Sequence, residues 1–436
     1  MDLCIVGAGH VGLVTGACFA DVGHRVVMVD VDRARTAGLK RGRMPFFEPG
    51  LQALVRRNIQ DGRLLCTTDL AVGVKRSLVI FICVGTPPKE NGEADLSFVE
   101  SVARQIAQMM TGYRLVVDKS TVPVQTGAQV ARTIGNARRK RVAFDVASNP
   151  EFLREGSAVN DFMHPDRIVI GVESARARQI LSELYSSFEA PLVVTDISSA
   201  ELIKHASNSF LAMKISYMNA VAAICQQVGA DVTKVAHGMG MDPRIGRAFL
   251  DAGVGFGGFC FPKDVAAFIR IADQLGYDFA LLKAVEQVNQ EQPRRFVALA
   301  KEALWVLSNK TVGILGLSFK PNTDDMRYAP SLDVIRLLRA EGVKVQAYDP
   351  EAMSEAAKLL KPRDVRFCRD AYAAATGADA LALVTEWNEF QELDFARLKR
   401  IMRQPVLLDG RNMYEPERVR AAGFRYVGIG RGSAAS

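Results

Sequence analysis

Leu3-Cys4-Ile5-Val6-Gly7-Ala8-Gly9-His10-Val11-Gly12 decides the fold. Four apolar residues read as a buried strand, and the glycines follow at once. A helical pattern then runs to about Asp21, and Arg25–Asp30 reads as a second strand that ends in an acid. This is a strand–turn–helix–strand unit in which each glycine has its own task. Gly7 permits the tight turn, Gly9 lets a pyrophosphate approach the backbone, and Gly12 lets the helix pack on the strand. The helix N-terminus meets the phosphates. Asp30 lies 18 residues beyond Gly12, where a carboxylate accepts hydrogen bonds from both ribose hydroxyls and repels a 2′-phosphate. NAD is therefore expected rather than NADP.

The alternation continues outward from this unit. Leu78–Val84 ends in Gly85-Thr86-Pro87-Pro88, Leu115–Val117 in Asp118-Lys119-Ser120-Thr121-Val122-Pro123, and Phe144–Ala147 in Ser148-Asn149-Pro150-Glu151. Helical stretches such as Ser97–Met110 separate them. The pattern predicts a doubly wound parallel sheet. Its polar, glycine- and proline-rich loops all fall just after strands, on the edge where such sheets bind ligands. Thr86, Thr121, Glu151 and Glu155 are expected to gather there. A second α/β unit follows, with strands at Thr311–Leu315, Val343–Tyr348, Ala380–Val384 and Val406–Leu408. It lacks the glycine fingerprint, so it need not hold a second dinucleotide. Lys320 and Arg327 sit on its ligand edge as candidate phosphate cations.

Length and composition agree with a multidomain enzyme. A chain of 436 residues exceeds one ordinary core. Hydrophobic residues make up 49% and charged residues 24%, which is ordinary for a globular protein. No apolar run approaches the ~18 residues that cross a membrane, and the chain opens directly on a strand pattern, so a cytoplasmic protein is expected. The net charge of +7 suits an anionic small molecule. The basic residues are dispersed, the run Arg138–Arg141 reads as solvated surface, and no nucleic-acid motif accompanies them. The tail Arg431–Ser436 reads as disordered. The seven cysteines are scattered without a CxxC pair, and the five histidines lack metal-ligand spacing, so neither a disulfide framework nor a metal site is expected.

One cysteine stands apart. In Gly253-Val254-Gly255-Phe256-Gly257-Gly258-Phe259-Cys260-Phe261-Pro262-Lys263-Asp264, a thiol lies between a glycine-rich loop and a residue, Pro262, suited to a helix's first turn. A cysteine at a helix N-terminus beside a lysine favours the thiolate. The glycines read as room for a ligand. Upstream, residues 198–228 read as one long helix, with Ser198 or Ser199 as its cap and apolar positions nearly all round. At ~30 residues it would span ~45 Å, which suits a connector between domains and a dimer face. Lys204 and Asn208 share one of its sides. NAD together with a thiol suggests more than simple alcohol oxidation. A thiolate attacks an aldehyde to give a thiohemiacetal, loss of a second hydride leaves a thioester, and water releases an acid. Lys204 and Asn208 are candidate oxyanion donors, and Asp264 a candidate base through water. A hydroxyacid dehydrogenase using only Lys204 and Asn208, and a non-catalytic NAD-binding regulator, are the other readings of these residues.

Taken in order, the motifs Gly7–Gly12, Val84-Gly85-Thr86-Pro87, Ser120-Thr121-Val122-Pro123, Asn149–Gly156, Glu201-Leu202-Ile203-Lys204 with Asn208, Gly255–Asp264 and Phe319–Asp325 with Arg327 resemble the UDP-glucose 6-dehydrogenases. These belong to the wider UDP-glucose/GDP-mannose dehydrogenases, and the resemblance spans nearly the whole chain. It implies an α/β protein of two Rossmann-like doubly wound domains joined by a long central helix. Residues 1–197 would bind NAD, 198–300 would form the helical dimerisation region with the catalytic loop, and 301–436 would bind the UDP-sugar. It implies four-electron oxidation of UDP-glucose to UDP-glucuronate, with GDP-mannose as the near alternative substrate. Cys260 would be the nucleophile, with Lys204, Asn208, Asp264, Thr121 and Glu151 in the catalytic group. Gly7, Gly9, Val11, Gly12, Asp30, Arg35, Thr86, Thr121, Glu155, Lys263 and Arg327 would touch NAD. Glu151, Phe152, Leu153, Arg154, Glu155, Lys204, Asn208, Arg244, Phe249, Leu250, Gly253, Gly257 and Lys320 would touch the nucleotide sugar. A homodimer through the central helix is implied, with Arg244 reaching the other subunit's substrate. No metal, nucleic acid or membrane partner is implied. The chain departs from the usual pattern at His10 (often Tyr), Phe259 (often Ser), Gln125 (usually Gly) and Tyr328 (usually Glu). His10 is expected to matter little, because the turn works through its backbone.

Overall fold

A computed structural model of the chain describes residues 1–87, 89, 93–138 and 142–432. The basic run at 138–141 lies outside the described residues from 139 onward, and the tail does so from 433. The chain gathers into two compact units, Met1–Ser207 with Ala266–Gly276, and Asn208–Val265 with Tyr277–Ser436. No helix among the described residues is long and apolar enough to cross a membrane.

The first unit is built on strands β1 (Asp2–Val6), β2 (Arg25–Val29), β3 (Leu64–Thr67), β4 (Val79–Ile82), β5 (Arg114–Asp118), β6 (Phe144–Ser148), β7 (Ile168–Val172) and β8 (Leu192–Thr195), in the sheet order β3-β2-β1-β4-β5-β6-β7-β8. Neighbouring residues of a central strand serve opposite cores. Leu3 and Ile5 join one apolar cluster, while Cys4 and Val6 join another. Burial on both faces is why these strands read as unbroken apolar runs. The sheet departs from the expected all-parallel arrangement at one junction, because β6 pairs with β7 antiparallel. β7 therefore starts from the edge where β6 ends, and the whole segment 149–167 stays on the ligand edge.

The second unit carries β9 (Thr311–Leu315), β10 (Lys344–Tyr348), β11 (Val365–Phe367), β12 (Ala380–Leu383), β13 (Val406–Asp409) and β14 (Arg425–Gly428), in the order β11-β10-β9-β12-β13-β14. All five pairings are parallel. Val312 and Ile314 pack beneath Met218, Ala222 and Cys225 of the long helix and Phe296 and Ala300 of the helix Ala280–Leu304. Leu381 and Leu383 face Phe390 and Leu398 on the other side.

The long helix spans Ile197–Val228. Its cap is Asp196, whose carboxylate accepts from the Ser199 N–H at 2.8 Å, and not Ser198 or Ser199. Nor is the helix covered all round, since Phe210, Tyr217, Ile224 and Val228 are exposed. Two further helices follow, Cys260–Gln274 and Ala280–Leu304. At the tail, Arg431 is buried and donates to the Tyr414 carbonyl and the Tyr426 hydroxyl, so order extends beyond the point expected.

Candidate active site

In the first unit, the turn after β1 behaves as its glycines require. Gly7 takes φ 102°, and a Cβ on it would lie 2.6 Å from the Cys83 carbonyl oxygen. A Cβ on Gly12 would lie 1.9 Å from the Gly7 oxygen. At Gly9 a Cβ would meet no protein atom within 4 Å, so the space in front of the turn is open. The helix His10–Asp21 has no side-chain cap and no acid in its first turn. Its leading N–H groups are thus available to an anion. Asp30 is buried and accepts from Ala8 N at 2.7 Å and Asp32 N at 2.8 Å, and its carboxylate pairs with Arg35 at 3.0 Å. An open turn, uncapped amides and a fixed carboxylate on the next strand fit an adenine dinucleotide with a free ribose 2′-hydroxyl.

Thr86 and Thr121 come together on the same edge, the Thr86 hydroxyl donating to the Thr121 carbonyl at 2.9 Å. Glu151 is buried. One of its oxygens pairs with Lys204 Nζ at 3.0 Å and the other accepts from Leu153 N at 2.7 Å. Phe152 lies between two cations, with the Arg167 guanidinium 3.7 Å and the Lys204 ammonium 5.4 Å from its ring centre. Glu151, Phe152, Leu153 and Arg167 border a cavity of about 250 Å³ lined also by Lys119, Asn149 and Tyr185. Lys119 donates to Asn149 Oδ1 at 2.9 Å. Burial brings its pKa down to about 8, against the raising charges of Cys83 and Glu151. Arg154 also lines the cavity, where it pairs with Asp161 at 2.6 Å.

In the second unit, Cys260 is the first residue of its helix, half-buried, as Pro262 implied. Asp264 is fully buried one turn later. It accepts from Asn208 Nδ2 at 2.6 Å and pairs with Lys263 Nζ at 2.7 Å. Lys263 and Arg327 both lie over the Phe259 ring, at 5.5 and 4.4 Å from its centre. Arg327 is also held by Asp325. The six buried thiols Cys4, Cys18, Cys66, Cys83, Cys225 and Cys368 are of another kind, since burial pushes every one of them up, Cys66 to about 11.

The loop before Cys260 owes its glycines to the chain itself. A Cβ on Gly257 would lie 2.2 Å from the Tyr328 oxygen, one on Gly258 2.7 Å from the Phe319 ring, and one on Gly253 3.0 Å from the Gly410 oxygen. These close approaches give each of the three glycines a reason within the chain itself. Phe249 takes φ 65° and Leu250 is buried. Arg244 is exposed and paired with Asp242, apart from the Cys260 cluster. Lys320 lies near the Phe319 ring, 5.7 Å from its centre.

Sequence reasoning missed Glu48, Arg167 and Asn289, whose partners Ala158, Phe152 and Phe256 are not their neighbours in sequence. Asn289 anchors the thiol loop by two hydrogen bonds to the Phe256 backbone. It also gave the His10 side chain no part, yet that imidazole is bonded to Glu48. Among the described residues no group of three His, Cys, Asp or Glu is placed to hold a metal.

Comparison with known proteins agrees with this geometry. Models of the UDP-glucose/GDP-mannose dehydrogenase family match residues 1–189 (NAD binding domain), 198–291 (central domain) and 313–416 (UDP binding domain). A UDP-glucose 6-dehydrogenase of Bacillus subtilis is 47% identical over 98% of this chain and 93% of its own length. One of Pseudomonas aeruginosa is 48% identical over 99% and 98%. The solved structure of a UDP-glucose dehydrogenase from the archaeon Pyrobaculum islandicum superposes with a TM-score of 0.92 at 42% identity, covering 98% of this chain and 97% of that one. NAD is thus the cofactor of the first unit, and the chain belongs to the UDP-glucose/GDP-mannose dehydrogenase family.

Proposed function

We propose that this protein oxidises UDP-glucose to UDP-glucuronate in two NAD-dependent steps. The observation that carries the reading is Cys260 at the start of its helix with Asp264 buried one turn on, bonded to Asn208 and Lys263. The curated relatives named above, UDP-glucose 6-dehydrogenases at 47–48% identity, support the choice of sugar.

When bound, NAD accepts one hydride in each oxidation. First, the sugar's primary hydroxyl loses its proton to a base and its carbon loses a hydride, giving an aldehyde. The Cys260 thiolate then adds to the carbonyl carbon, forming the C–S bond of a thiohemiacetal. Loss of the second hydride from that carbon leaves a thioester. Water, its proton taken through Asp264, breaks the C–S bond, releasing the carboxylate and restoring the thiol. Each tetrahedral stage develops an oxyanion, for which Lys204 and Asn208 are the donors. Glu151 holds the Lys204 ammonium, so the charge is placed before substrate arrives. Thr121 belongs to the same catalytic group. Gly7, Gly9, Val11, Gly12, Asp30, Arg35, Thr86, Glu155, Lys263 and Arg327 serve the cofactor. Phe152, Leu153, Arg154, Arg244, Phe249, Leu250, Gly253, Gly257 and Lys320 serve the nucleotide sugar. The exposed apolar line on the long helix supports a homodimer.

The test is NADH release from a panel of UDP-glucose, GDP-mannose and UDP-N-acetylhexosamines. Two NADH per UDP-glucose are expected, and Cys260→Ala should form no acid. One NADH per sugar, or acid formation by Cys260→Ala, would sink the thioester route.

A further inference from the structure

His10 begins the helix that follows the glycine turn, and its imidazole is engaged away from that turn. Nε2 lies 2.8 Å from Glu48 Oε2, and the ring packs on Phe46 with centres 4.8 Å apart. The Glu48 carboxylate has no exposed surface. Its remaining capacity goes to two backbone amides, Gly156 N at 2.7 Å and Ala158 N at 2.9 Å. These amides close the turn that ends the segment Glu151–Gly156. A continuous hydrogen-bonded path therefore runs from the first residue of the cofactor helix, through one buried carboxylate, to the loop that carries Glu151 and Phe152.

We propose that His10 is a positioning residue, which through Glu48 ties the NAD turn to the Glu151–Gly156 loop. The proposal rests on the reading above for what that loop does, and on geometry alone for the tie. Three carboxylates, Glu48, Glu151 and Glu155, face the imidazole electrostatically. Burial by itself would hold the ring neutral. The hydrogen bond to Glu48 and the charges of Glu155, Glu48 and Glu151 together outweigh it, and the imidazolium is stabilised beyond its ordinary value of 6.5. A buried carboxylate binds a charged donor more strongly than a neutral one. The tie is therefore at full strength below the ordinary histidine range and weakens as pH rises through the higher folded value.

Hydrogen exchange of residues 151–158 in the full-length protein without cofactor, corrected for intrinsic rates, tests this at about pH 6 and about pH 9. Wild type should be more protected at the lower pH. His10→Phe keeps the ring contact with Phe46 and loses the bond, so it should be weakly protected at both. His10→Gln offers a neutral donor throughout and should match wild type at high pH without a step. In turnover, His10→Phe should raise KM for NAD and nucleotide sugar about 3- to 10-fold, with kcat within about 2-fold. Equal protection in wild type and His10→Phe, or a step that persists in His10→Gln, would overturn the tie. An exchange step in a protein inactive on every nucleotide sugar would support the tie and count against the proposed reaction.

Discussion

Phe259, next to the proposed nucleophile Cys260, occupies a position where the resemblance leads one to expect serine, and the structure gives it work. Its ring lies under both Lys263 and Arg327, the two cations of this unit assigned to NAD. A cation over an aromatic face gains roughly 0.5–2 kcal/mol, depending on how far it is desolvated. Phe259→Ser should therefore raise KM for NAD about 3- to 10-fold while kcat changes little, and Phe259→Tyr should restore it. A fall in kcat with unchanged KM would show instead that the ring acts on the thiol. Cys260 itself was legible in the sequence, because a glycine loop and a first-turn proline bracket it locally. The role of Phe259 was not, because Arg327 reaches it from a distant loop and no local pattern records that approach. Gln125 shows why glycine is usual at its position, and nothing in the structure explains the departure. The residue takes φ 74°, a left-handed backbone that glycine adopts without strain.

The long helix shows what periodicity can and cannot reveal. Glu201, Lys204 and Asn208 are three and four residues apart, and all three are buried, so their common side was readable. What Glu201 binds was not readable. Its carboxylate accepts from Gln125 N at 2.6 Å and Gly127 N at 2.7 Å, and His205 a turn later bonds the Val122 carbonyl at 2.7 Å. The helix thus holds the segment that follows Thr121, from Val122 to Gly127, a pairing across the chain that no spacing rule signals. Burial pushes Glu201 up to about 7, against the lowering hydrogen bonds from Gly127 and Gln125 and with a further raise from Asp196. Asp118 is raised too, by burial and then by the Glu201 charge. A carboxyl that holds its proton more tightly when folded makes the folded state bind more protons between the unfolded value of 4.5 and 7. Stability then falls as pH rises through that window. Glu201→Gln cannot titrate and removes the charge that raises Asp118. Urea midpoints between about pH 5 and pH 7.5 should decline less steeply in the variant, by an amount on the order of 1 kcal/mol. Parallel declines would remove Glu201 from the account.

The two units repeat one architecture and differ in what their second strands end on. Asp30 follows β2 and Asp349 follows β10, and each accepts an amide of the preceding glycine turn, Ala8 N and Leu317 N, at 2.7 Å. Asp349 is then shared further with Ser318 and with the Trp387 indole at 3.1 Å. The carboxylate that a ribose would need is consumed within the chain, in keeping with the missing fingerprint. Central strands of both sheets were legible as apolar runs because both their faces are buried. β3, β8, β11 and β14 were not read, and they are the edges of the two sheets. There a face is partly solvated and the apolar run breaks, as at Leu65 and Val193, which are exposed. The same logic gives meaning to apolar side chains that remain uncovered. Phe210, Tyr217 and Ile224 are 57%, 56% and 62% exposed and recur every seventh residue, the repeat of a helix seam that meets another helix. Large side chains in such a line cost little if a second copy of the chain buries them and leave an exposed patch if none does. Sedimentation should therefore find a dimer in which Tyr217→Glu weakens association at least about 100-fold, because a carboxylate at the centre of the seam must be desolvated without a partner. Helical content should be unchanged, since the position is solvated in the single chain. A monomeric wild type, or a dimer indifferent to charge at Tyr217, would assign this face to some other contact.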